Sequence, residues 1–364
     1  MRGAIYPTAR IRRGAATALC LLLAAFSLGA AGCGGKRVSD HAAEGGVVRL
    51  YNWKDFTDTS VLRDFEEETG IRVELYEYET AQEMIAETQS KPDSFDLLVV
   101  DANLIPLMRE LRMIDPLDQG RLPGLDGLRP GINRFPLRDF QGCLSVPYLW
   151  GTTGMVVNTG FVSPGSVGWN DMWKKEYAGR IALLDDTREA MMAVLKSCGL
   201  SANTRNQAEL RIAEEKALRL KENGVRLGET FQNIEGVMNG ELWLAEAYGG
   251  DVAMLAAGRE DVAYVLPPEG FNVWLDCFVL SSGAAHRDEA YALMEYFLRP
   301  EVSARAALSF RYASPLEEAE ALVERSELYD PRFFPQEWQL EEGEIYVELG
   351  SINREYERIF QLLR

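Results

Sequence analysis

From Val47 onward, short apolar runs alternate with amphipathic stretches. Val47-Val48-Arg49-Leu50-Tyr51 reads as a strand, Thr59 to Thr69 as a helix closed by Gly70, and Ile71 to Tyr76 as the next strand. Ala81 to Thr88 is helical, and Phe95 to Val100 is apolar enough to be a buried strand. Further on come strand Ile181 to Leu184, helix Thr187 to Cys198, the long charged helix Gln207 to Glu222, and a strand-like run Leu242 to Ala247 leading into a helix Val252 to Gly258. Strand Val262 to Leu266 and the strand-like run Phe271 to Leu280 follow, then a helix Asp288 to Leu298 that ends at Pro300, and a last helix from about Ile352. Strands alternating with helices predict α/β lobes with largely parallel sheets. Ligands of such sheets bind beyond the carboxyl ends of the strands, so residues just after strands carry the information.

The segment before Val47 does not join this pattern. Arg10, Arg12 and Arg13 precede an uncharged apolar run from Ala15 to Leu28, and Gly29-Ala30-Ala31-Gly32 leads to Cys33. A basic stretch, a short apolar core and small residues make a secretory signal, too short for a membrane span of about 20 residues. Ala31-Gly32-Cys33 looks like a lipobox, which predicts removal of residues 1–32, a lipid on Cys33 and a polar tether over 33–45. The removed segment holds four arginines and no acid, so the formal charge of the 364-residue chain goes from −18 to −22. So acidic a chain repels nucleic acid and attracts cations, and it has no Lys/Arg stripe to follow a phosphate backbone.

Beyond Cys33 the remaining cysteines are Cys143, Cys198 and Cys277, with no C-x-x-C pair; the only histidines are His41 and His286. That leaves little material for a zinc site, a redox motif or a Ser-His-Asp triad. No metal, no cofactor and no catalytic residue is expected.

Several strand ends pair an aromatic ring or a glycine with an acid. Trp53 ends the first strand. Asp186 and Glu189 open a helix directly after strand Ile181 to Leu184, an i, i+3 acid pair that reads equally as a capping box or as a site. Tyr248 is followed by Gly249-Gly250 and Asp251, again an acid at a helix start. Trp274 and Asp276 are two apart on a strand and so share one face; alone they read as a core ring beside an edge acid. Together, flat rings and unpaired acids suit a flexible aliphatic cation, whose charges need carboxylates and whose stem needs apolar walls.

At these residues the chain resembles the spermidine/putrescine-binding periplasmic proteins of bacterial ABC importers. The resemblance rests on Leu50-Tyr51-Asn52-Trp53, Pro147-Tyr148-Leu149-Trp150-Gly151, Leu184-Asp185-Asp186-Thr187-Arg188-Glu189, Val273-Trp274-Leu275-Asp276 and Phe297 to Val302, in that order. It implies a two-lobed periplasmic-binding-protein fold of type II, each lobe a mixed, mostly parallel sheet flanked by helices, with the ligand in the interlobe cleft. By the same resemblance the lobes cover 46–150 plus 275–320 and 151–274 plus 321–364, with crossings near Trp150, Trp274 and Tyr312. Trp53, Tyr248 and Trp274 would form an aromatic box, Asp186, Glu189 and Asp276 would bind amines, Asp251 would match the acid of the putrescine type, and Tyr312 a site tyrosine. The implied partners are a polyamine, an ABC permease with its ATPase, and a membrane reached through the lipid anchor, with no nucleic acid.

Some positions depart from that pattern. Phe56 stands in place of a tyrosine, and Asp101 and Asn103 in place of a serine and a tyrosine. Lys54, beside Trp53, is a cation where a neutral residue is usual, and Asp101 is placed to pair with it. The family's C-terminal glutamine falls at either Gln339 or Tyr346. Three rival readings stay open: the same fold holding another small cationic or polar solute, a polyamine-sensing receptor, and a carboxylate-pair glycosidase. The last is disfavoured because Asp186 and Glu189 lie on one turn instead of facing each other across a sugar.

Overall fold

Asp58 opens the first helix: its carboxylate accepts a hydrogen bond from the Ser60 amide, and Gly70, at φ 72°, closes the helix α1 (Thr59–Thr69) in the left-handed conformation that glycine adopts without strain. In this computed structural model the chain is described over residues 46–139, 142–330 and 334–364. The signal segment, Cys33 and the tether lie outside the described residues. Helices α2 (Ala81–Ser90), α3 (Ile105–Glu110), α4 (Thr187–Lys196) and α5 (Gln207–Glu222) follow. The helix read as ending at Pro300 runs Arg287–Phe297, and Pro300 does more than end it. It is the first residue of another helix, Pro300–Phe310, where its missing N–H would have had no intrahelical partner.

The strands are β1 (Val47–Trp53), β2 (Arg72–Tyr78), β3 (Leu97–Asp101), β4 (Ile114–Asp115), the ribbon β5 and β6 (Arg138–Asp139, Gly142–Cys143), β7 (Val146–Asn158), β8 (Ile181–Leu184), β9 (Arg226–Gly228), β10 (Leu244–Tyr248), β11 (Val262–Val265) and β12 (Asn272–Ser281). Apart from the ribbon they form one ten-stranded sheet in the order β2-β1-β3-β12-β7-β10-β8-β9, with β11 added to β7 and β4 to β12. Parallel pairs lie in its outer parts, β1 with β2 and β3, and β8 with β9 and β10. Its middle is antiparallel, because β7 and β12 run in opposite directions through both halves. The halves therefore share a sheet, and the boundaries expected after residues 150 and 274 fall inside these two strands. Every residue of β7 and β12 is buried, as in a sheet covered on both faces.

Each half has its own core. One gathers Leu50, Phe65, Leu97, Phe278, Leu293 and Phe297; the other gathers Trp169, Leu183, Leu195, Leu220 and Tyr356. A backbone bridge between Trp150 and Ala313, with N–H···O distances of 3.0 and 2.9 Å in the two directions, ties the segment carrying Tyr312 to the middle of β7.

Candidate functional site

Alternation along β12 puts Asn272, Trp274 and Asp276 on one face. Antiparallel register sets Thr153 opposite Asn272 and Gly151 opposite Trp274 on β7, and Thr153 is in turn opposite Tyr248 on β10. The register slips between Asp276 and Cys277, a bulge of the kind that re-aims a side chain beside a site. The same strand therefore delivers an amide, an indole and a carboxylate in a row.

At the Asp276 end, the Trp53 indole donates from Nε1 to Asp276 Oδ1 at 3.0 Å, and its ring leans on Tyr78 at 4.4 Å. Asp101 ends β3 directly opposite Asp276 and takes the Asn103 amide at 2.8 Å. Lys54 corrects the expectation made for it: its ammonium pairs with Glu79 at 2.5 Å, both side chains exposed, so it neither meets Asp101 nor opposes a cation. Position 54 begins the turn after β1, where its backbone N–H donates to Tyr78 O at 2.9 Å and its side chain lies beside the end of β2.

In the middle, Trp274 meets Tyr312 edge-on at 4.7 Å and Tyr248 at 6.1 Å. Tyr312 donates its hydroxyl to Asp251 Oδ1 at 2.9 Å. Phe56 joins through Tyr312, 5.9 Å away, in a group of rings with Tyr148 and Phe310. Gly151 is required here, since a Cβ would lie 2.4 Å from the Trp274 ring and 2.9 Å from Tyr312.

At the far end, Asp186 caps α4 by accepting the Arg188 and Glu189 amides at 2.8 and 3.0 Å. Glu189 does not reciprocate as a capping box would. Its carboxylate takes Asn272 Nδ2 at 3.2 Å and the Tyr346 hydroxyl at 2.7 Å. The motif thus caps the helix through Asp186 alone and leaves Glu189 turned to Asn272 and Tyr346. Tyr346, not Gln339, reaches the acids; Gln339 caps its own helix at Gln336.

Burial raises the pKa of every acid in the row. Asp101 and Asp251 are pushed up to about 6 and Glu189 to about 8, in each case first by desolvation. Asp276 stands well above the carboxylate range for the same reason, with Asp101 adding repulsion. Asp186 keeps solvent access yet is crowded by protein on the other sides, and desolvation raises it too. Asp186 and Glu189 both repel Asp101 or are repelled by it, so acids from the two halves face one another. Among the described residues no group of His, Cys, Asp and Glu has the spacing of a metal site, and no helix is long and apolar enough to cross a membrane.

Residues 60–330 match the family model of the bacterial extracellular solute-binding proteins. This chain belongs to that family. The solute-binding protein is 29% identical over 326 residues to the spermidine/putrescine-binding periplasmic protein of Escherichia coli, covering 89% of this chain and 93% of the other. It is 30% identical over 305 residues to the putrescine/agmatine-binding protein of Pseudomonas aeruginosa, covering 79% and 83%. Among solved structures, the spermidine/putrescine ABC transporter substrate-binding protein of Streptococcus pneumoniae superposes with a TM-score of 0.76 at 25% identity, over 88% of this chain and 98% of that one. The two-lobed α/β architecture of the solute-binding protein is that of these structures.

Strand ends alone did not point to three residues on one face of the solute-binding protein's sheet, Thr153, Glu246 and Asn272, nor to Tyr264 on the opposite face. Tyr264 donates to the Thr152 carbonyl oxygen at 2.9 Å. Glu246 had a usable signal, because it lies two residues before Tyr248 on a recognised strand and so shares its face. Arg188 was noticed only within its motif. Its guanidinium lies 4.5 Å over the Tyr346 ring, donates to Val347 O at 3.1 Å and Asn203 Oδ1 at 2.8 Å, and acts electrostatically on Asp101 and Asp186.

These acids set a pH profile for the empty protein. A carboxyl whose folded-state pKa is raised contributes stability present in full below its unfolded value, 3.8 for Asp or 4.5 for Glu, and lost as pH climbs through the folded value. Asp101 and Asp251 lose theirs near 6 and Glu189 near 8. Asp58, Asp96 and Glu344 act oppositely: despite desolvation, hydrogen bonds from Ser309, Arg49 and Lys196 hold them below their ordinary values, so their stabilisation fades in acid. The melting temperature without ligand is expected to peak near pH 5 and fall toward pH 8.5. Scanning calorimetry across that range checks it, and a melting temperature that is flat or rising from pH 5 to 8 contradicts it.

Proposed function

We propose that this solute-binding protein captures a small aliphatic polyamine, of the putrescine or spermidine kind, between its lobes and presents it to a membrane ABC importer, binding without chemistry. The observation that carries the reading is the row of acids and rings: Asp276 with Asp101 and Trp53 at one end, Glu189 with Asp186 at the other, and Trp274 and Tyr248 between. Such a row matches a slender chain with an ammonium at each end and methylenes in the middle, each ring offering apolar contact and a cation–π face worth about 0.5–2 kcal/mol. Several buried acids are tolerable together only when cations join them, so ligand and lobe closure stabilise one another. The names of the relatives in E. coli and P. aeruginosa, which specify spermidine, putrescine and agmatine, support the same class. Lipid on Cys33 would hold the protein at the outer face of the cytoplasmic membrane or in the periplasm, within reach of the permease and its ATPase.

Mass spectrometry and thermal shift test both parts. Protein made from the full chain and purified without added amine is expected to carry a retained polyamine under native conditions and a diacylglycerol mass on Cys33. In a thermal-shift panel of putrescine, spermidine, agmatine, arginine and thiamine, the polyamines should give the largest rise. At a hundredfold excess over Kd the stabilisation is about 2.7 kcal/mol. A rise with arginine or thiamine and none with the polyamines would overturn the ligand class.

A further inference from the structure

Glu246 belongs to no strand end, yet it lies within the proposed site. It is in the middle of β10 with no exposed surface. One carboxylate oxygen accepts the Leu184 amide at 2.9 Å, and the other, Oε1, has no hydrogen-bond partner among the described residues. Its face of the sheet is the one that carries Tyr248, Thr153 and Asn272, beneath the start of α4 where Glu189 sits. Asn272, 1% exposed, donates its amide to Glu189, and its Oδ1 is also unpartnered among the described residues. Two buried oxygens without donors thus lie beside the acid that would take the ligand's terminal ammonium.

Among the described residues no cation pairs with either glutamate. Arg188 donates from its two terminal nitrogens to Val347 and Asn203 and lies over the Tyr346 ring, with no hydrogen bond to either glutamate among the described residues. Asp186 and Asp101 add negative charge. Tyr248, Tyr264 and Tyr346 are held neutral, desolvation first, by burial and by these same acids. Desolvation raises both glutamates, and the negative charge of Glu189 raises Glu246 further. Adjacent buried carboxylates cannot both stay ionised without a neutralising partner.

We propose that Glu189 and Glu246 form a proton-holding carboxylate pair in the empty protein, and that docking of the amine's terminal ammonium expels that proton, so that Glu246 is an additional acid of the binding site and capture is coupled to proton release. The balance is simple. One carboxyl O–H bond breaks, its proton passes to water, and the ammonium keeps its three hydrogens while its charge replaces the proton's. This inference rests on the polyamine reading and adds a residue and a linkage to it.

The sign follows: affinity rises with pH across the window in which the pair would otherwise hold its proton. Titration calorimetry with spermidine and putrescine, in buffers of different ionisation heat between pH 6 and 8, is expected to show release of close to one proton per amine bound by the wild type. Glu246→Gln, which keeps the oxygen that accepts from Leu184, should release less than half as much and flatten the affinity–pH slope. Infrared spectra of the empty protein provide a readout independent of any ligand. A protonated-carboxyl band should be present at neutral pH, diminished in both Glu246→Gln and Glu189→Gln, and bleached in the wild type by spermidine. Binding with no proton release, or equal release in Glu246→Gln, overturns the inference while leaving the polyamine reading intact. A band sensitive to Glu246→Gln in a protein that binds no polyamine leaves the proton-holding pair standing and overturns both the ligand class and the coupling to it.

Discussion

Exchange of Asp276 for asparagine is expected to weaken spermidine and putrescine binding by about two to three orders of magnitude. Removing one partner of a buried charge pair costs about 3–5 kcal/mol, and each 1.4 kcal/mol is about tenfold in affinity. Asparagine preserves the shape and an oxygen for the Trp53 indole, which now reaches Oδ1 at 3.0 Å. What is lost is the charge, in a place where burial and Asp101 already hold the carboxyl well above its ordinary range. The empty variant should therefore fold at least as stably as the wild type, because an uncompensated buried acid has been removed. Titration calorimetry measures the affinity and a melting curve controls for folding. An affinity within about tenfold of the wild type, in a protein that melts normally, would remove Asp276 from the amine-binding set.

The second large effect is at Trp274, where packing and recognition coincide. The ring is 9% exposed, lies edge-on to Tyr312 and Tyr248, and sits so close over Gly151 that no side chain fits beneath it. Trp274→Ala leaves a cavity between β7, β12 and the Tyr312 segment, and large-to-alanine changes at such sites cost about 3–5 kcal/mol. Polyamine binding should be lost as well, since the wall between the two acid ends is gone. Trp274→Phe separates the two contributions. It should recover most of the stability while binding stays weaker, because a smaller ring carries less of the cation–π attraction. Denaturant unfolding gives the first quantity and calorimetry the second. A loss of less than about 1 kcal/mol in the alanine variant would mean that the ring is not packed as described.

Much of this protein was readable before any coordinates. Thr59–Thr69 is bounded as expected because both of its stops are local: an aspartate that caps and a glycine that turns. Ile181–Leu184 and Gln207–Glu222 were recognisable at both ends for similar reasons. The candidate acids and rings were also in view, since the carboxyl ends of strands are where an α/β sheet exposes them. Pro300 misled because one residue can end a helix and begin another, and only the fold decides whether a second helix follows.

The binding arrangement was less legible, and the misses share a cause. Lys54 could be assigned to Asp101 from proximity of strand ends, yet its partner is Glu79, just past the end of the adjacent β2, because the turn after β1 ties Lys54 to Tyr78 at the end of β2. Glu246 went unnoticed because an acid in mid-strand reads as an outward-facing one until the strand is known to be covered on both faces.

The amino-acid sequence by itself determined the α/β class, most helix and strand positions, the acidic balance and the residue types offered at strand ends, because caps, turns and periodicity act over a few residues. Only the tertiary structure decided that Asp101 faces Asp276, that Asn272 joins Glu189 to the Glu246 side of the sheet, and that Trp53 reaches an acid 223 positions away. Those pairings depend on strand order, on register and on the bulge at Asp276/Cys277, and a slip of one residue in register would turn every side chain to the other face.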